Sequence, residues 1–168
     1  MEIVKFQIPL EFIQARTCLT WREVLFGVAN ELFSPEAAAE LAAQQLRKEA
    51  DTNSALVALV ILDEHESRVP LIQRLAAAEP EEDSAEAQQK WLYLVLAWIF
   101  AHKDSYSDPL GAVEAVYADF GYPKCISSLV RYMPMLDVDL GSKQANEQRL
   151  YDKWKAFVDE VSVEYKKS

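Results

Sequence analysis

Apolar residues recur at helical spacing along most of the chain, and helix punctuation separates the runs. Thr20-Trp21-Arg22-Glu23 has the Ser/Thr-x-x-Glu form of a capping box, with Val24, Leu25, Val28, Leu32 and Phe33 behind it. Ser34-Pro35 offers a cap and a first-turn proline for a run from Glu36 to Ala50 that is rich in Ala, Leu, Gln and Glu. Asp51-Thr52-Asn53-Ser54 breaks that run and can cap a helix over Ala55 to Asp63. Ser67 to Pro70 opens another, which ends near Ala78. A longer helix spans about Ala85 to His102, and its half from Trp91 to Ala101 is apolar on every side. Such a helix must be surrounded by others, which makes it the central helix. A buried strand is the rival reading of this run, but the unbroken helix-forming lead-in Ala85-Glu86-Ala87-Gln88-Gln89-Lys90 favours helix.

Beyond it, Asp108-Pro109 starts a helix with Asp108 as N-cap. Leu110, Val113, Tyr117 and Phe120 form its apolar face, and Gly121 is placed as its C′ residue. Pro123 opens a further helix through about Tyr132, closed by Met133-Pro134, and Met135 to Gly141 reads as a loop. The last helix, about Lys143 to Tyr165, carries Leu150, Trp154, Phe157, Val158, Val161 and Tyr165 on one docking face. Val4-Lys5-Phe6 and Gln7-Ile8-Pro9 suggest a brief extended start. About eight helices and no convincing strand predict a single all-α domain over 1–168. An irregular bundle around residues 91–101 and a short helical-repeat stack both fit. No period of constant length emerges, so the irregular bundle leads.

The 168 residues carry a formal net charge of −10, with 51% hydrophobic residues and only four glycines. That apolar content excludes a disordered acidic chain, and so few glycines disfavour a Gly-rich nucleotide-binding scaffold. Residues 1–142 hold 11 basic and 22 acidic side chains, whereas residues 143–168 hold 6 and 5. A body this acidic is repelled by nucleic-acid phosphates and anionic membranes, and it attracts a basic partner. The N-terminus lacks signal-peptide character, and the eleven-residue apolar run is too short to span a bilayer, so the expected location is the cytosol.

Cys18 and Cys125 match no metal or redox spacing, which suits a reducing compartment. Cys125 lies near a predicted helix start, where thiolates are favoured, but a buried inert cysteine is the commoner case. His65, in Asp63-Glu64-His65-Glu66, reads as part of a solvated helix end rather than a metal ligand, because on a helix it points away from Asp63 and Glu66. His102 reads as an end-of-helix residue on the last carbonyls rather than a catalytic base. No Gly-x-Ser-x-Gly elbow or phosphate-binding glycine loop is present, and no cofactor or metal is expected. The acidic turn from Glu79 to Ser84 suits capping of the following helix, with an acidic docking loop as the alternative.

Unusual residues are densest between Asp104 and Pro134. Asp104, Tyr106, Asp108, Glu114, Asp119, Tyr122, Arg131 and Tyr132 are the candidate partner-binding set there, since tyrosine brings large contact area with a polar handle. Glu114 lies between Gly111 and Ala118 on one helix face, where another element can approach closely. Three uses fit this stretch: an internal ion pair of Glu114 or Asp119 with Arg131, a partner surface, or carboxylate chemistry.

The pattern Asp108-Pro109-Leu110-Gly111, Val113-Glu114, Tyr117-Ala118-Asp119-Phe120, Tyr122-Pro123 and Arg131-Tyr132-Met133-Pro134 resembles a bacterial family of small proteins of unknown function. The early Leu19-Thr20-Trp21 also fits. Members of that family look like cytosolic immunity proteins of polymorphic or contact-dependent toxin systems. The resemblance implies a protein, not an enzyme, that binds and neutralises a cognate toxin with a basic surface, of nuclease type. A small hydrolase using Glu114, Asp119 or His102, and a helical adaptor, are the alternative expectations.

Overall fold

The computed structural model describes residues 6–48, 53–81, 83–131 and 138–166. The fold is all-α, and there is no strand among the described residues. The helices are α1 (Leu10–Gln14), α2 (Trp21–Ala29), α3 (Pro35–Lys48), α4 (Ser54–Ile61), α5 (Val69–Ala77), α6 (Ser84–Ala101), α7 (Pro109–Asp119) and α8 (Lys143–Lys166). Two 3₁₀ segments lie at Lys103–Ser105 and Lys124–Leu129. The described residues group into two compact units, and the boundary between Trp91 and Leu92 falls inside α6. No helix among the described residues is long and apolar enough to cross a membrane.

In the N-terminal unit, α5 packs on α2, and α4 packs on both α3 and α5. The capping box of α2 forms as the sequence predicts: Glu23 N donates to Thr20 Oγ1 at 3.2 Å, and Thr20 N donates to Glu23 Oε1 at 2.8 Å. The first two amides of the helix go elsewhere. Trp21 N and Arg22 N donate to the two carboxylate oxygens of Glu79, at 3.0 and 2.8 Å. The acidic turn therefore splits its work, in part against the sequence expectation. Glu79 caps the start of α2, where it meets the positive end of the dipole, and Asp83 caps α6 by accepting from Ala85 N at 3.0 Å.

Glu23 is also the centre of a buried cluster. Its carboxylate pairs with Lys90 Nζ at 2.8 Å, its carbonyl accepts from Trp91 Nε1 at 2.8 Å, and Lys90 also donates to Cys18 O at 3.0 Å. A Cβ at position 27 would collide with the Trp91 indole, so Gly27 is what lets the fully buried Trp91 lie against α2. Phe33 lies tilted on the other side of the indole, centroids 5.9 Å apart. Leu32 and Phe33 are buried beyond the end of α2, because the chain turns back at Glu31 and both amides donate to Gly27 O.

In the C-terminal unit, residues 92–97 and Ile99 of α6 are buried on all sides, as expected of a helix with no polar face. Trp154 of α8 is fully buried there, donates from Nε1 to Leu96 O at 3.2 Å and meets Phe100 edge-on at 5.1 Å. Tyr165 continues the stripe against Tyr93, centroids 5.2 Å apart. Trp154 and Tyr165 of the predicted docking face thus meet α6, and α8 also packs on the 3₁₀ segment Lys124–Leu129.

Several boundaries differ from the sequence reading. Gln7-Ile8-Pro9 is extended at Pro9, as expected, but leads straight into the short α1, which the sequence reading lacked. Asp63-Glu64-His65-Glu66 is an exposed turn after α4 rather than a helix end. Pro123 opens a 3₁₀ segment that stops at Leu129, not an α-helix. The predicted end of that element at Tyr132-Met133-Pro134 lies outside the described residues, as do Val4, Lys5 and the predicted end of the third helix at Ala50.

Candidate interaction site

Proline at the first position and Gly121 past the last define α7. Gly121 adopts φ +77, donates to Ala118 O at 3.1 Å, and is followed by Tyr122 N donating to Tyr117 O at 2.8 Å. This is the Schellman closure that a C′ glycine permits. Tyr122 itself stands at φ +60, a region a side chain with a Cβ rarely adopts, and the residue is 65% exposed. It meets the Tyr117 ring edge-on, with centroids 5.3 Å apart. Asp119 is exposed at the end of the same helix.

Asp108 is the N-cap residue of α7, as expected. Its carboxylate lies beside the Gly111 backbone and 2.9 Å from Arg131 Nη2, in a space that a Cβ on Gly111 would fill. Arg131 donates from Nε to Glu114 Oε1 at 2.6 Å, so the predicted ion pair forms at Glu114. Glu147 of α8 stands 3.7 Å from the same guanidinium. Asp108, Glu114 and Glu147 thus converge on the Arg131 guanidinium. The Arg131 hydrogen bond holds the Asp108 carboxyl below its usual range, while Glu114 first and Asp108 second raise the Arg131 pKa. Burial raises the Tyr151 pKa, and the charges of Glu147 and Asp108 add to the rise.

The stabilising contribution of the Asp108 carboxylate is fully present above the ordinary carboxylate pKa and is lost as pH falls through the lowered one. Acid titration of unfolding free energy should therefore be shallower below about pH 4 in Asp108→Asn than in the parent chain. Equal slopes would show that the Asp108–Arg131 contact carries no linkage.

The remaining candidates are spread over the same unit. Asp104 is exposed in the first 3₁₀ segment, and Tyr106 closes that segment half-buried, its pKa raised by burial. Tyr132 lies outside the described residues. His102 stacks on Trp98 with centroids 3.9 Å apart, and its Nδ1 is 2.8 Å from Trp98 O, the end-of-helix role predicted for it. Cys125 is exposed rather than buried, since the short 3₁₀ segment turns Ile126 and Leu129 inward instead; packing around the thiol raises its pKa. Sequence reasoning passed over Glu147, Asp139 and Asn146. With Arg131 and Leu150 they line an open cavity of about 540 Å³. Asp139 accepts from Gly141 N at 2.9 Å and Asn146 Nδ2 at 3.0 Å, an arrangement signalled only by the polar run before α8.

A family model described as an uncharacterized protein conserved in bacteria, DUF2247, matches residues 10–162. The chain belongs to this family. The match spans both units and all of α2 through α7, in keeping with the expectation of a bacterial family of unknown function. No curated protein and no solved structure matches the chain.

Proposed function

We propose that this DUF2247 member is an immunity protein that neutralises a cognate bacterial toxin by binding it, with the end of α7 as a contact point. The observation that carries this reading is Tyr122. A large aromatic side chain is held in a left-handed backbone conformation, where glycine would cost roughly 1–2 kcal/mol less, and is turned into solvent. The ring's edge-on contact with Tyr117 belongs to the Schellman closure, yet most of the residue stays exposed and is free to meet a partner. Exposed tyrosine is the residue type that anchors protein interfaces, and the net charge of −10 favours encounter with a basic partner. A toxin that attacks nucleic acid has such a surface.

Tyr122→Gly separates folding from binding. It removes the backbone strain and also the ring contact with Tyr117, effects of similar size and opposite sign, so unfolding free energy should stay within about 1 kcal/mol of the parent. If the gene immediately upstream encodes a growth-inhibiting toxin, co-expression with the parent chain should protect growth, and protection should fail or weaken in the variant. Full protection by Tyr122→Gly would remove the α7 end from the contact surface. Absence of any protection by the parent would remove the immunity reading.

A further inference from the structure

Helix α4, Ser-Ala-Leu-Val-Ala-Leu-Val-Ile, has no polar residue after its first position. A helix of that composition is ordinarily covered on every side. Here α3 and α5 pack against it, and Ala55, Leu56 and Leu59 are buried. Val57, Val60 and Ile61 share the opposite face by their i, i+3, i+4 spacing. Val57 is half-buried, Val60 is 38% exposed and Ile61 is 75% exposed. Three branched aliphatics on one face form a continuous patch rather than a scattered surface residue.

The turn that follows that patch along the chain is acidic. Asp63, Glu64 and Glu66 are exposed in the turn that follows α4. The next cation, Arg68, has a side chain only 13% exposed and lies 3.9 Å from Glu36, whose side chain is 74% exposed. Charge decides among occupants. A second copy would bring another acidic turn and another −10 against the first, and an anionic lipid surface would be repelled likewise. A protein segment with apolar residues on one side and Lys or Arg beside them satisfies both features.

We infer that the outward face of α4 is a docking surface for a basic amphipathic protein segment, with Val57, Val60 and Ile61 as the apolar anchor and Asp63, Glu64 and Glu66 meeting the cations. This deepens the partner-binding reading on which it rests, and it places a contact on the N-terminal unit, away in sequence from Tyr122. Ile61 makes the largest exposed contribution, so burying it supplies most of the apolar gain.

The test uses the isotope-labelled full chain and a synthetic helical peptide of leucine and lysine, followed by amide chemical shifts. Shifts should concentrate on residues 57–66 and weaken at about 1 M salt, where the screening length falls to about 3 Å. Ile61→Glu should reduce affinity by about tenfold or more with an unchanged unfolding midpoint, and Tyr122→Gly should leave peptide affinity unchanged. Shifts that map elsewhere, or equal affinity in Ile61→Glu, would overturn the inference. So would a concentration-dependent dimer of the parent chain that Ile61→Glu abolishes, since a second copy would then be the occupant. Because the probe is not the toxin, these outcomes are separate from success or failure of toxin protection by the parent chain.

Discussion

Trp91→Ala should lose about 3–5 kcal/mol of unfolding free energy in chemical denaturation, the range for deleting a large buried aromatic side chain. Trp91 is fully buried, packs on Phe33 and reaches the Glu23 carbonyl through its indole N–H. The same ring explains Gly27, which sits inside α2 at a helix-propensity cost of about 0.5–1 kcal/mol relative to alanine. In the parent chain Gly27→Ala should destabilise by about 1–3 kcal/mol through overpacking against the indole. In a Trp91→Leu background the ring atoms that the new Cβ would meet are gone, and Gly27→Ala should become neutral or stabilising. A double-mutant cycle reads that coupling. Additive effects would mean that Gly27 is there for another reason.

Lys90→Met should cost about 3–5 kcal/mol, because it strands Glu23 as a buried, uncompensated carboxylate. The Glu23 side chain is 5% exposed and that of Lys90 12%. Adding Glu23→Gln should recover most of the loss: glutamine still closes the capping box with Thr20, and no buried charge is left without a partner. If the double variant is as unstable as Lys90→Met alone, the loss comes from the lysine's packing and its bond to Cys18 O, not from the stranded charge.

Local signals were legible in the sequence where the partners are close along the chain. The Thr20–Glu23 box, the Asn53 cap on Ala55 N, Gly121 after α7 and the all-apolar half of α6 each need only a few neighbouring residues to read. Glu79 was misassigned because its real partners, the Trp21 and Arg22 amides, lie 58 and 57 residues away. A carboxylate beside a helix start looks like a cap for that helix until tertiary structure brings another start closer. Asp108 also has a partner that local pattern cannot show: its carboxylate meets a guanidinium 23 residues on. The Glu114–Arg131 pair was readable from Gly111 and Ala118 clearing one face, whereas Glu147 joins the cluster only through the packing of α8. The apolar face of α4 was hidden for the opposite reason. Its composition reads as core, and only the packed structure shows which side is left uncovered.

The central claim is that this DUF2247 member acts by binding a basic protein. Calorimetric titration of the full chain with the purified product of the gene immediately upstream of its own, at low salt and again at about 1 M salt, tests it most directly. The account predicts saturable one-to-one binding that weakens as salt rises and weakens by about tenfold or more in Tyr122→Gly. No binding at low salt, or binding indifferent to both salt and Tyr122, would contradict it.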